Sequence, residues 1–165
     1  MRPREFEEFV DGELPRLLGY ARALTGSDHD AWDLTQEALV RVARRWRRIR
    51  RDGNPAAYAR VTIARLNVDR HRRDRREVLV ADAPDAPERS APYEGLDAWL
   101  RDGLLDLTPR QRTAIVLRYV DDLDLAGIAE AMGCSTGTVK SHLSRGLDRL
   151  RQHVPTPDCE EDRHG

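Results

Sequence analysis

Apolar residues recur every three or four positions along most of the chain, which is the spacing of one face of an α-helix. The first such run covers residues 6–24 and contains Pro15, a residue that either kinks a helix or splits it in two. Further helices are predicted over about residues 30–49 and 55–76. No stretch of useful length alternates apolar and polar residues as strands do. The pattern therefore predicts an all-α fold.

Capping and turn residues divide this helical pattern into units. In "TGSDHD", Ser27 or Asp28 can cap the second helix, and in "RDGNP", Asn54 can cap the third helix with Pro55 in its first turn. From Val80 to Gly95 the text "VADAPDAPERSAPYEG" contains three Ala-Pro steps, which disfavour a helix. We therefore predict two small helical domains, residues 1–78 and 96–152. A flexible linker (79–95) joins them, and a disordered acidic tail (153–165) follows.

The second domain carries the signals of a helix-turn-helix. Thr108 and Asp124 are predicted N-caps, Gly133 supplies a left-handed turn that ends a helix, and Ser135 caps the last one. On that last helix one face is apolar, and the other is short, polar and lightly cationic. Small side chains allow close approach to the major groove, where Arg or Lys can reach guanine. Two helices that merely pack together are the alternative interpretation.

The net charge of −1 conceals separate charged blocks along the chain. Residues 1–40 carry four Arg and nine Asp or Glu, whereas residues 41–76 carry 14 Arg and three Asp. A block this basic favours nucleic acid as a partner, since phosphate neutralisation dominates such binding. A solvated helix face is the alternative. Because only 39% of the residues are hydrophobic, with two Phe, two small cores are expected rather than one large core.

Other features narrow the class of protein. Cys134 and Cys159 lack metal-ligand spacing, no apolar run is long enough to span a membrane, and the charged N-terminus is not a signal peptide. We therefore expect a protein of the reducing cytoplasm. No Gly-rich phosphate loop or paired nucleophile and base is present, so neither an enzyme nor a cofactor is predicted. His29, Asp33 and Glu37 have helical spacing, but nothing else completes a metal site, and none is predicted.

Together, these segments resemble the extracytoplasmic-function (group IV) sigma factors of the sigma-70 family. "DAWDLTQEALVRVARRW" and "NPAAYARVTIARLNVDRHRRDRR" resemble their region 2, and "LTPRQRTAIVLRYVDDLDLAGIAEAMGCSTGTVKSHLSRGLDRLR" resembles their region 4. The resemblance implies a three- to four-helix region 2 bundle and a region 4 helix-turn-helix. It further implies a subunit that directs RNA polymerase core to promoters and initiates transcription. The implied promoter elements lie about 20 base pairs, or about two helical turns, apart.

The resemblance also assigns partners to residues. The clamp helices of the largest polymerase subunit would contact a stripe on the second helix, comprising Asp30, Asp33, Leu34, Gln36, Glu37 and Val40. The first domain would recognise and melt the −10 element through Asn54, Arg60, Arg65, Asn67, Arg70, Arg72 and Arg73. The second domain would recognise the −35 element through Arg110, Arg112, Thr136, Lys140, Ser141, Ser144 and Arg145. An anti-sigma factor is a further implied partner, and no membrane insertion is expected.

One rival function fits the second domain almost equally well. A helix-turn-helix transcriptional regulator that is not a polymerase subunit would need the same reading helix. A decoy that binds polymerase without DNA is another alternative, but the basic helix and the polar reading face argue against it. Binding to polymerase core without DNA separates the first rival from a sigma factor, and promoter-dependent transcription separates the second.

Overall fold

A computed structural model describes residues 3–78 and 96–156, and within these ranges every regular element is an α-helix. The first four helices are α1 (Pro3–Thr25), α2 (Asp28–Arg44), α3 (Trp46–Asp52) and α4 (Pro55–Val78). The last four are α5 (Ala98–Asp106), α6 (Pro109–Tyr119), α7 (Leu125–Met132) and α8 (Thr136–Arg151). The predicted all-α class is confirmed. The predicted linker (79–95) lies outside the described residues, and so does the predicted tail (153–165) beyond residue 156. At the start of that tail, the His153 imidazole lies 3.2 Å from the carboxylate of Asp106 at the end of α5.

Helix α1 runs through Pro15 without interruption, so the second of the two expected effects of this proline, a split of the helix, does not occur. Pro15 is exposed, whereas Leu17, Ala21 and Leu24 beyond it are buried in the bundle. Ser27 is the N-cap of α2, because its hydroxyl accepts a hydrogen bond from the backbone N–H of Asp30 at 3.3 Å. The fully buried residues of α1 therefore lie beyond Pro15, whereas Phe6 and Phe9 before it are partly buried against the same core.

The prediction of a single helix over residues 30–49 is wrong, because the chain breaks at Arg45 between α2 and α3. Trp46 directly after the break is buried, with its ring centroid 5.3 Å from that of Phe6 and 5.1 Å from that of Phe9. The Arg45 guanidinium donates to the hydroxyl of Tyr58 on α4 at 3.0 Å. Long-range aromatic packing accompanies this change of direction, and helical spacing alone does not reveal such packing.

The caps of the second half are confirmed. Thr108 forms a capping box with Gln111, and the Asp124 carboxylate accepts from the Gly127 N–H at 2.7 Å. Gly133 has φ 63°, the left-handed conformation that favours glycine at the end of a helix. Ser135 accepts from the Thr138 N–H at 3.1 Å and begins α8. These residues place α7 and α8 as a helix-turn-helix pair.

The expectation of two separate cores is wrong, because one buried apolar cluster extends through both helical units. Leu24 of α1 and Ile63 of α4 belong to the same cluster as Leu117 of α6, Ile128 of α7 and Val139 of α8. All five side chains are fully buried. A smaller cluster joins α5, α6 and α8. The two units are therefore packed together, with α4 lying against α6 and α7.

Candidate nucleic-acid and protein interfaces

Helix α8 presents the polar face that the sequence predicts. Its apolar side chains Val139 and Leu150 are buried, so the opposite face is left in solvent. The α8 side chains that the sequence predicts to recognise DNA are all exposed. They are Thr136, Lys140, Ser141, Ser144 and Arg145. Because Ser135 already satisfies one N–H, the remaining N-terminal N–H groups of α8 are free to face a phosphate.

Arg110 extends the positive charge of this face onto the start of α6. Burial lowers the pKa of His142 on α8, and the positive charges of Arg110 and Arg145 lower it further. Both guanidinium groups therefore lie close enough to one imidazole to act on it. The side chain of Arg110 is half-buried, and its phosphate contact stays a prediction.

Arg112 lies in a different environment from Arg110. Its buried guanidinium donates to four carbonyl oxygens, at 2.6 Å to Leu104, 2.8 Å to Leu24, 3.1 Å to Leu107 and 3.3 Å to Leu105. Burial lowers its pKa. Leu24 and Leu104 lie at the C-terminal ends of α1 and α5, where the helix dipole attracts a cation. In this arrangement Arg112 joins helix ends and is not available to a phosphate.

Three of the seven arginines of α4 are paired with acidic groups. The closest atoms are 2.6 Å apart for Arg60 and Asp121, 3.3 Å for Arg65 and Glu130, and 2.7 Å for Arg70 and Asp30. Arg72 points toward the α7–α8 turn, since a Cβ atom added at Gly133 would lie 3.3 Å from its Nη2. Arg73 is exposed. The structure thus brings the predicted basic residues together on one helix, but several of them are engaged within the chain.

The two asparagines predicted to bind DNA have unlike surroundings. Asn54 caps α4, because its Oδ1 accepts from the backbone N–H groups of Ala56 at 3.0 Å and Ala57 at 3.2 Å. Asn67 is only 1% exposed, and its Nδ2 has no hydrogen-bond partner in the described part of the chain. A buried amide N–H without a partner is energetically costly. A contact between Asn67 and a base requires that the structure around α4 opens.

Helix α2 exposes most of the stripe predicted to bind polymerase. Asp33, Gln36, Glu37 and Val40 are exposed on α2, and the Glu37 carboxylate is paired with Arg41 at 2.7 Å. By contrast, Leu34 is buried in the core. Asp30 is half-buried and paired with Arg70 of α4. The accessible part of the predicted stripe is therefore acidic and amide, with one apolar member.

The predicted stripe does not include Trp32, although the family resemblance marks this position, often acidic in relatives, as one that can retune the polymerase contact. Trp32 is 43% exposed and lies one turn before Gln36 on α2. An exposed Trp at helical spacing from an apolar Val40 is a signal that would have identified it, because large aromatics are frequent at the centre of protein interfaces. His29, Asp30 and Asp33 lie close by, with their ligand atoms within 4.8 Å of one another. Of these three, Asp30 is engaged by Arg70.

A polar contact between the two halves was also missed. The Asp121 carboxylate, in the corner between α6 and α7, accepts from the Tyr20 hydroxyl at 2.7 Å and from Arg60 Nε at 2.6 Å. Burial and the negative charge of Asp121 raise the pKa of Tyr20 well above its usual value. Tyr20 and Asp121 are 101 positions apart, and no local sequence signal pairs them.

Comparison with known proteins agrees with this geometry. Residues 9–77 match the family model described as Sigma-70 region 2, and residues 97–150 match Sigma-70, region 4. The chain is 37% identical over 158 residues to the RNA polymerase sigma-E factor of Streptomyces coelicolor, which covers 94% of this chain and 89% of that protein. It is 36% identical over 145 residues to the ECF RNA polymerase sigma factor SigL of Mycobacterium tuberculosis, covering 82% and 80%.

A solved structure is also similar. The sigma factor RpoE of Bartonella quintana, in complex with the anti-sigma factor NepR, superposes with a TM-score of 0.65 at 25% identity, covering 91% of this chain and 96% of that one. The fold, the two matched regions and these relatives define a transcription initiation factor of the sigma-70 class. Within that class, the chain belongs to the extracytoplasmic-function RNA polymerase sigma factors. In residues 3–78 and 96–156, no helix is both long and apolar enough to cross a membrane.

Proposed function

We propose that three surfaces of this chain, on α2, α4 and α8, each bind one partner of a sigma factor. The exposed stripe of α2 binds the clamp helices of the largest polymerase subunit. Helix α4 and its N-terminal cap bind and melt the −10 element, and the exposed face of α8 reads the −35 element. In this proposal residues 1–78 and 96–152 are the two functional domains, and residues 79–95 link them.

The observation that carries the −35 assignment is the composition of the exposed face of α8. Thr136, Ser141 and Ser144 keep that face short, while Lys140 and Arg145 add cations that reach base edges and phosphates. The caps at Gly133 and Ser135 hold α8 at a defined angle to α7. A helix held in this way is the reading element of a helix-turn-helix.

The polymerase contact rests on the charge of α2. Asp33 and Glu37 are exposed on one side of the helix with Gln36 between them, and carboxylates of this kind attract a basic partner helix. The relatives are named as RNA polymerase sigma factors, which supports polymerase core as the partner. These names also disfavour the alternative of a helix-turn-helix transcriptional regulator that acts without polymerase. As the structure of RpoE contains an anti-sigma factor, we include such a factor among the proposed partners.

Further parts of the proposal follow from the family. Sigma factors are not enzymes, and we propose no catalytic activity and no cofactor for this chain. Bacterial RNA polymerase acts in the cytoplasm, so we propose that this chain acts there too.

The direct test is transcription with purified core polymerase and a library of promoter sequences. Adding the chain is expected to produce transcripts from a defined set of start sites. Replacing Arg145 with Ala should cost about 1–3 kcal/mol at one position of the −35 element and little at the others. Sequencing the transcripts measures both effects.

The matched control for this test is Arg151→Ala, which removes an exposed arginine at the far end of α8 that is paired with Asp148 at 2.8 Å. It should leave the −35 preference unchanged. An equal loss across all sequences for Arg145→Ala would show a phosphate contact instead of base reading. If the wild-type chain, free of any inhibitor, gives no defined start sites with core polymerase, the proposed function is refuted.

A further inference from the structure

His142 lies on α8 between two cations of the proposed −35 interface. Arg145 follows it by about one turn on the same helix, and Arg110 stands at the start of α6. The two helices are in close contact here, because a Cβ atom added at Gly146, one turn beyond His142, would lie 3.4 Å from the Cβ of Gln111 on α6. The imidazole of His142 therefore sits where the reading helix meets the first turn of α6.

The Nε2 atom of His142 lacks a hydrogen-bond partner. It is buried, and no group in residues 3–78 and 96–156 forms a hydrogen bond with it. A buried polar atom without a partner is energetically costly, so a ligand that satisfies it is favoured. The side chain as a whole is only half-buried, so a ligand on the protein surface can reach the imidazole once the ring turns about its Cβ–Cγ bond.

The charges around His142 favour an anion as that ligand. Burial lowers the pKa of the imidazole, and the positive charges of Arg110 on α6 and Arg145 on α8 lower it further, with no acidic side chain to offset them. In the described part of the chain, neither arginine is paired with a carboxylate. Guanidinium groups without carboxylate partners attract phosphate oxygens. On a surface proposed to bind DNA, the backbone supplies such oxygens.

We infer that Arg110, His142 and Arg145 form a phosphate site for the backbone of the −35 duplex, at which the imidazole takes up a proton from solvent and donates a hydrogen bond from Nε2 to a phosphate oxygen. This inference rests on the proposed role of α8 in reading the −35 element. Only an N–H bond forms, and the phosphate supplies the negative charge that keeps three cations together. Affinity for the −35 element is thereby linked to pH.

The direction of this linkage follows from the pKa of His142 in the two states. In the free chain the pKa lies below its ordinary value of 6.5, and a bound phosphate raises it because an anion favours the charged imidazole. Between these two pKa values, DNA binding takes up a proton, and the affinity falls as the pH rises. One proton changes the affinity by at most about tenfold per pH unit.

The first experiment follows the imidazole signals of His142 by nuclear magnetic resonance in the full-length chain, with and without a saturating −35 duplex. The DNA should raise the pKa of His142 from below 6.5 to above it. Arg110→Gln should raise the pKa in the free chain, because one of the two repelling charges is removed. A pKa that stays the same or falls when DNA binds would overturn the phosphate site.

The second experiment measures the affinity for the same duplex by fluorescence anisotropy between about pH 6 and about pH 8. Wild type should bind about fivefold more tightly at the lower pH, and His142→Gln should lose most of this change. His142→Arg stays charged throughout and should bind at the higher pH about as tightly as wild type does at the lower pH. Equal pH profiles for wild type and His142→Gln would contradict the inference.

The salt dependence of binding distinguishes a phosphate contact from an effect elsewhere. Each neutralised phosphate adds about 0.9 to the slope of log affinity against log salt concentration, so the wild-type slope should be steeper by about this amount at low pH. The slope for His142→Gln should not change with pH. The matched control is His153→Gln, which removes a half-buried histidine beside Asp106 beyond the end of α8 and should keep the wild-type pH profile.

The phosphate site and the proposed reading role of α8 fail in different ways. A chain that prefers the −35 duplex to a scrambled duplex, with equal pH profiles for wild type and His142→Gln, keeps the reading role and loses the phosphate site. A chain that shows no such preference at any pH, even when it is loaded on core polymerase, loses both.

Discussion

Arg112 shows that charge alone does not define the role of a residue. As an arginine at the start of α6 it was predicted to hold a phosphate, yet it is buried and donates to the carbonyls of Leu24, Leu104, Leu105 and Leu107. Arg110, two positions earlier, is half-buried beside α8. Substitution of Arg112 is therefore expected to lower the stability of the fold, and substitution of Arg110 is expected to weaken DNA binding.

Replacing Arg112 with Ala should lower the free energy of unfolding by about 2–4 kcal/mol, because several buried carbonyls lose a charged donor. Urea denaturation followed by circular dichroism measures this change. Arg110→Ala is the control and should change stability by less than about 0.5 kcal/mol while weakening DNA binding. If Arg112→Ala is as stable as wild type, its guanidinium does not join the helix ends in solution.

The raised pKa of Tyr20 predicts that the contact between the halves weakens at alkaline pH. Burial and Asp121 raise its pKa well above 10, so the folded chain holds the phenolic proton more tightly than the unfolded chain does. The stabilising contribution of Tyr20 is fully present below about pH 10 and falls as the pH rises above that value.

Urea unfolding between pH 8 and 11 tests this dependence, and Tyr20→Phe should flatten it above about pH 10. Tyr119→Phe, at an exposed tyrosine on α6, should leave the alkaline profile as in wild type. Identical profiles for Tyr20→Phe and wild type would contradict the assignment.

At the scale of single helices, local sequence signals predicted where α8 begins and which of its faces is buried. The caps at Asp124, Gly133 and Ser135 and the apolar spacing on α8 depend on neighbours within a few residues, and they are confirmed. The break at Arg45 was not predictable in this way, because it accompanies packing of Trp46 on Phe6 and Phe9, which lie far away in sequence.

The proposed attraction of helix α2 for polymerase should be lost when its exposed acids are reversed. Asp33→Arg together with Glu37→Arg is expected to weaken capture of core polymerase at least tenfold, since like charges then face the basic partner. A pull-down or fluorescence titration with core polymerase measures this effect.

Reversing two acids elsewhere provides the control. Glu7→Arg with Glu8→Arg changes the same number of exposed charges on α1 and should not alter capture. Unchanged capture by the α2 variant would remove the stripe from the polymerase interface, and an equal loss in both variants would indicate a nonspecific charge effect.

At the scale of the whole molecule, the sequence predicted two helical units but not how they pack. The apolar faces of α4, α6 and α7 read as the cores of separate bundles, because hydrophobic spacing shows that a face is buried and not what covers it. Tyr20, Arg60 and Asp121 come from three distant segments. Their contact depends on tertiary structure alone, and so it was missed.

The spacing between the two promoter elements tests how the two halves are held on polymerase. An insertion of about five base pairs turns the −35 element by about half a helical turn relative to the −10 element. If both halves are fixed on polymerase, initiation should fall more than about tenfold in a run-off assay. Substituting about five spacer bases without changing the length is the control and should have little effect. Unchanged initiation after the insertion would mean that the halves are not held in a fixed relation.

The buried contact of Asp121 with Tyr20 and Arg60 also bears on module exchange among sigma factors. Joining the first half of this chain to the second half of a relative brings together surfaces that did not evolve as a pair. Without an acid at the Asp121 position, such a hybrid leaves Arg60 without its buried partner, and its halves should separate more readily. Hybrids whose two halves must stay packed together should therefore take Tyr20, Arg60 and Asp121 from the same parent.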